Sequence, residues 1–137
     1  MKKIIIYLRP YSKYLLVIWL LSIIFVSSIP SLPTPKIDTK HFEIRLDYLF
    51  HFCEYGLLTF LALLSSVKVD FTFTLKKYLL VSLALLIFAV ADEFHQKLIP
   101  GRSFNPKDIM SNLTGIIAVV IFCLFIFRII ADGFKKS

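Results

Sequence analysis

Four long apolar runs separated by short polar segments organise this chain. The first goes from about Tyr14 to Ile29 and is closed by Pro30, Pro33 and Pro35. The second, from about Asp47 to Val67, opens with polar residues and becomes wholly apolar. The third, from about Tyr78 to Lys97, reverses that order, and the fourth spans about Asp108 to Ile130. Runs of this length match the roughly 20 apolar residues a helix needs to cross about 30 Å of hydrocarbon. The pattern predicts an all-α integral membrane bundle of four transmembrane helices, built as one domain over residues 1–137. Between the runs lie a proline-rich segment of mixed charge (30–46), a short one holding Lys68, Asp70, Lys76 and Lys77, and the turn-rich stretch LIPGRSFNPK at 98–107. A cleaved signal peptide is the rival reading of the first run, because Ser27 and Ser28 are small; Trp19 and the strong apolar anchoring suit a retained helix.

Composition agrees. Hydrophobic residues make up 58% of the 137, and the mean hydropathy is +0.79. Soluble domains sit nearer half apolar. The net charge of +7 does not point to nucleic acid, because no basic stripe lies along one helix face. Lysines and arginines instead flank the apolar runs, where they meet lipid headgroups. With the N-terminus inside, Lys2, Lys3, Arg9, Lys13, Lys68, Lys76, Lys77, Arg128, Lys135 and Lys136 are cytoplasmic, ten of the sixteen basic residues. Lys36, Lys40, Arg45, Lys97, Arg102 and Lys107 are outside. The bias predicts that both termini are cytoplasmic. Cys53 and Cys123 fall at different depths, so a disulfide between them is not expected.

That topology brings polar residues of three helices to one depth. Asp47 and His51 open the second helix, Asp92, Glu93, His95 and Gln96 close the third, and Asp108 and Asn112 open the fourth. At 1.5 Å per residue they share a slab roughly 10 Å thick under the outer headgroups. Asp47, His51 and Tyr55 are four apart and share a face, as do Asp92 with Gln96 and Asp108 with Asn112. Charged groups facing lipid cost several kcal/mol, so these faces should turn inward and meet. Asp92 and Glu93 stand out: they are adjacent acids at a helix C-terminus, where the dipole opposes negative charge. Asp92 and Glu93, with His51 as partner, are therefore candidate acid–base groups. Asp47, Tyr55, Gln96, Arg102, Asp108 and Asn112 are candidate binding residues. Arg102 either neutralises the acid pair or offers its fork to a phosphate or carboxylate from outside.

Structural roles compete with these. Asn105-Pro106 reads as a helix N-cap and first position, which makes Asp108 a first-turn acid, and Asp47 has the same reading. Glu54 suits an interhelix hydrogen bond or snorkels to the interface, His41 suits a loop, and Gly56 and Gly115 suit close helix packing. Carboxylate and imidazole would accept a metal at Asp47, His51, Asp92, Glu93 or His95, yet no tight ligand motif is present, so neither metal nor cofactor is expected.

The motifs Asp47-x-x-x-His51-Phe52-x-x-Tyr55, Asp92-Glu93-x-x-Gln96, Pro100-Gly101-Arg102, Asp108 and Asn112-x-x-Gly115 resemble the VanZ-like family of small bacterial membrane proteins. The resemblance covers most of the chain. One departure is Tyr48, where members often carry a lysine after the first aspartate; Arg45 is the nearby basic residue. The resemblance implies a multi-pass protein of the bacterial cell membrane that lowers susceptibility to lipoglycopeptides such as teicoplanin without remodelling the peptidoglycan precursor. It names a phenotype and leaves the reaction, and whether there is one, open. The expected partners are membrane lipids, a lipid-linked envelope component or the lipoglycopeptide itself, bound or modified at the outer polar site. The alternative is a non-catalytic protein whose polar cluster is interhelix glue. A transport pathway ranks last, because the inner halves of helices two to four hold almost no polar groups.

Overall fold

The computed structural model describes residues 1–31, 36–38 and 43–135. The expectations for Pro33, Pro35, Lys40, His41 and Lys136, and for the Arg45 side chain, fall outside the described residues. The helices are α1 (Lys2–Leu8), α2 (Ser12–Ser27), α3 (Leu46–Ser66), α4 (Leu75–Lys97) and α5 (Pro106–Lys135). A single 3-10 turn, Arg9–Tyr11, joins α1 to α2. Pro10 sets that break, since it brings no backbone N–H to a helical ladder. Between α2 and α3 lies a small antiparallel ribbon, β1 (Lys36–Asp38) and β2 (Glu43–Arg45), pairing Lys36 with Arg45.

Four stretches are long and apolar enough to cross a membrane: Lys2–Ser27 taken through its turn, Leu46–Ser66, Leu75–Lys97 and Pro106–Lys135. The first begins well before the apolar run that announces it, because Ile5 is buried in the apolar cluster that α3, α4 and α5 share. The last continues to Lys135, past Ile130. Ala131 is buried there and Phe134 stacks on Phe71 with centroids 6.2 Å apart, so packing carries the helix beyond its apolar run.

α3 and α5 form the most extensive helix interface. Gly115 of α5 permits it: a Cβ there would lie against the Phe52 carbonyl of α3, with Phe52 Cα only 3.2 Å away. Two apolar clusters fill the bundle. One, at the end holding both termini, contains Ile5, Leu64, Phe71, Tyr78, Cys123 and Phe127. The other, Ile23, Tyr55, Leu58, Leu85, Ala89 and Ile116, lies on the way to the opposite end. Outward faces are apolar too, with Leu79 62%, Ile87 62% and Phe125 69% exposed. Helices apolar on every side are what lipid surroundings select.

Arginines from other segments cap two of the helix ends. Arg9 donates to the Val67 and Lys68 carbonyls past the end of α3, at 2.9 and 3.0 Å. Arg102 donates to Val26 O at 2.7 Å and Ile29 O at 3.3 Å at the end of α2. Carbonyls in a helix's last turn lack intrahelical partners, and in lipid an unpaired one costs several kcal/mol. Lys2, Lys3, Arg9, Lys68, Lys76, Lys77 and Lys135 gather at one end of the bundle, here the lysine-rich end. Asp47, Glu54, Asp92, Glu93 and Asp108 gather at the other, here the carboxylate end, while Asp70 and Asp132 lie at the lysine-rich one.

Candidate functional site

The carboxylate end collects the C-terminal turns of α2 and α4 and the N-terminal turns of α3 and α5. Asp47, Tyr55, Asp92, Glu93, Gln96, Asp108 and Asn112 are all buried there, Tyr55, Glu93 and Asn112 completely. His51 is nearly so, with 12% of its side chain exposed. None of these polar faces turns to lipid.

Adjacent residues on a helix point about 100° apart, and for Asp92 and Glu93 this splits the cluster in two. Asp92 faces α3 and its own helix. The Tyr55 hydroxyl and the Gln96 amide both donate to its Oδ2, each at 3.1 Å. Gln96 Oε1 in turn accepts from Arg102 Nη1 at 3.3 Å, and its amide nitrogen stands 3.4 Å from Ser27 Oγ. The Arg102 charge therefore reaches Asp92 through an amide. With three of its nitrogens donating to protein acceptors, its fork joins α2 to α4.

Glu93 faces α5. Its Oε1 accepts from the Asn105 backbone N–H at 2.7 Å. Asn105 also donates from its side-chain amide to Asp108 Oδ1 at 3.0 Å, and its Oδ1 accepts from Lys107 N at 3.1 Å. It is thus the N-cap of α5 and the link between two carboxylates. Sequence reasoning found the cap and missed the link, since nothing local in the chain places Glu93 above residue 105. His51 completes this half: its Nε2 is 3.7 Å from Asp108 Oδ2, and its Nδ1 is 4.0 Å from Glu54 Oε2. Those are ion-pair distances, longer than hydrogen bonds. The described contacts of His51 run to Asp108 and Glu54, and none runs to Asp92 or Glu93.

The halves differ in saturation. Tyr55, Asp92, Gln96 and Arg102 are joined in one chain of hydrogen bonds. In the Glu93 half, Glu93 Oε2, His51 Nδ1 and both side-chain amide atoms of Asn112 are buried with no hydrogen-bond partner. Buried polar atoms are normally paired, and an orphan costs about 1–3 kcal/mol.

Other polar residues take supporting places. His95 points away from the cluster, its Nε2 3.0 Å from Ser28 Oγ. Trp19 Nε1 donates to the Glu54 backbone carbonyl at 3.0 Å, pinning α2 to α3. Gly101 adopts a left-handed φ of +77° in the turn before Arg102, where Ser31 lies against it. Ser31 N donates to Pro100 O at 3.1 Å, which ties that turn to the end of α2. Among the described residues no three His, Cys, Asp or Glu side chains group closely enough to hold a metal.

The sequence matches the family model described as VanZ/LLP1 over residues 12–128. No curated protein and no solved structure matches it. The family match runs from the start of α2 nearly to the end of α5 and takes in every residue of the carboxylate end just described. The chain belongs to the VanZ/LLP1 family.

Proposed function

We propose that this protein is a bacterial envelope membrane protein that binds the polar headgroup of an amphiphile at its carboxylate end, in the outer leaflet, and so lowers susceptibility to lipoglycopeptides such as teicoplanin. The observation that carries the reading is the set of four buried atoms on three helices that make no hydrogen bond: Glu93 Oε2, His51 Nδ1, and Asn112 Oδ1 and Nδ2. Interhelix glue would pair its own atoms. These offer acceptors and donors together, which suits hydroxyl, amide or ammonium groups better than a bare phosphate. Arg102, engaged with Val26, Ile29 and Gln96, is a structural clamp in this reading and not a headgroup receptor. The lysines and arginines massed at the other end support the outward placement.

The saturated relay from Tyr55 through Asp92 and Gln96 to Arg102 favours the glue reading for that half alone. Glu93 and His51 are then the groups placed to carry a proton if the bound amphiphile is also modified.

Teicoplanin susceptibility of a sensitive bacterium expressing the chain tests this, with variants at matched membrane levels. Asn112→Leu removes the two orphaned amide atoms and keeps the count of side-chain heavy atoms, so the desolvation relieved offsets the extra bulk of the methyl groups. It is expected to leave the purified protein about as stable as the parent and to abolish protection. Glu93→Gln, which keeps the acceptor for Asn105, is expected to abolish protection as well. Full protection in both variants would overturn the proposal.

A further inference from the structure

The lysine-rich end holds a second feature, remote from the carboxylate end. At 1.5 Å per residue the 30 residues of α5 reach about 45 Å. That exceeds the roughly 30 Å hydrocarbon core, so the last turns of α5 lie at headgroup depth. Ile5 holds α1 in the apolar cluster that also contains Phe127, Ile130 and Ala131 of α5. Alongside that cluster a furrow opens between the two helices, lined by Lys2, Ile6, Ile129, Ile130, Gly133 and Phe134. Gly133 adds no side chain to its wall, and a Cβ built there would meet no atom within 4 Å.

We infer that this furrow is a binding site for an anionic phospholipid, with the phosphate at Lys2 and the upper acyl chain against Ile6, Ile129 and Ile130. The charge pattern selects the occupant. Lys2 is the one ionisable residue lining the furrow, and it is exposed at the rim; the exposed Asp132, next to Gly133 in the chain, is not among the lining residues. Beyond Phe134 lies a shallow groove lined by Arg9, Lys68, Val69 and Asp70. It adds the exposed Lys68 cation nearby, but two of the Arg9 donors and the Asp70 carboxylate are already engaged within the protein. A zwitterionic lipid would bring its own ammonium to a cationic rim, and a soluble anion would leave the isoleucine walls unused. Basic pockets between membrane helices are where acidic headgroups bind.

Native mass spectrometry of the full chain released from micelles containing phosphatidylglycerol or phosphatidylcholine tests the site. The parent protein should retain phosphatidylglycerol selectively. Lys2→Gln should weaken that retention about fivefold, the equivalent of the roughly 1 kcal/mol that a basic residue near an acidic lipid surface contributes. Gly133→Leu fills the furrow without touching a charge or a core contact. It should abolish retention without lowering the melting temperature. Lys76→Gln, exposed at the same end but outside both grooves, should have no effect. Equal losses in Lys76→Gln and Lys2→Gln would overturn the site in favour of diffuse surface charge. Retention surviving Gly133→Leu would also overturn it. So would a Gly133→Leu variant that turned a dimer into a monomer with lipid retention intact, since the furrow would then seat a second copy.

Discussion

Replacing Gly115 with alanine sets a methyl group against backbone that cannot swing away. The new Cβ would lie 3.1 Å from Phe52 C, 3.2 Å from Phe52 Cα and closer still to the carbonyl oxygen, where ordinary contact is 3.4–4 Å. Relief requires α3 and α5 to part along their tightest line of contact. Overpacking of a filled interior costs typically 1–3 kcal/mol, and a clash with three backbone atoms belongs at the upper end, about 3 kcal/mol. Helix propensity works the other way, since alanine in a helix interior is favoured over glycine by about 0.5–1 kcal/mol. The net expectation is a loss of about 2 kcal/mol. Gly133→Ala isolates the propensity part, because its Cβ meets nothing within 4 Å. That variant should be level with the parent or up to about 1 kcal/mol more stable. Reversible unfolding in mixed micelles, followed by far-ultraviolet circular dichroism, would compare the two. Gly115→Ala should fall below the parent and Gly133→Ala level with it or above, about 2–3 kcal/mol apart. Equal stabilities would refute the close approach of α3 and α5. His51 precedes Phe52 in the chain, so the same displacement should widen its 3.7 Å approach to Asp108 and weaken any function seated there.

Tyr55→Phe removes the hydroxyl that donates to Asp92 Oδ2 and keeps the ring beside Phe88, 6.1 Å between centroids. Interhelix hydrogen bonds in membranes average about 0.6 kcal/mol and reach about 1.7, so a loss within that range is expected in the same unfolding assay; an unchanged midpoint would show that the bond contributes nothing. At the other end, fully exposed Asp70 is held below its ordinary value of 3.8, first by the Thr72 hydroxyl at 2.7 Å and then by the Thr72 backbone N–H at 3.0 Å. A depressed carboxylate tightens its turn above the ordinary value and releases it as pH falls through the lowered one. Thr72→Val should move the Asp70 carboxyl titration, read by carbon-13 NMR, upward towards 3.8, and a midpoint that stays put would refute the assignment.

Depth was readable from the chain. Apolar runs and lipid avoidance placed His51, Asp92, Glu93, Gln96, Asp108 and Asn112 at one level, and the structure buries them at one end of the bundle. Rotation was not. A period of 3.6 says that Asp92 and Glu93 diverge by about 100°, but not which neighbour each meets. Whether Glu93 faces α3 or α5 depends on how α4 is turned in the bundle, and the long interface between α3 and α5 helps set that. The partners of Arg102 were hidden for a similar reason: two of them are main-chain carbonyls at the end of α2, which side-chain patterns do not mark. Gly115 was legible as a packing residue because small residues at membrane-helix contacts have a steric cause that needs no knowledge of the partner.

Asn105 touches its two carboxylates by different means. It reaches Glu93 through the main chain, which every residue but proline supplies, and Asp108 through a side-chain amide that few residues can imitate. Variation at this position can therefore retune the environment of one acid while the other keeps its donor. Among related chains the two carboxylates are free to drift apart in chemical character by changes at a single loop residue, without any change to the helices that carry them.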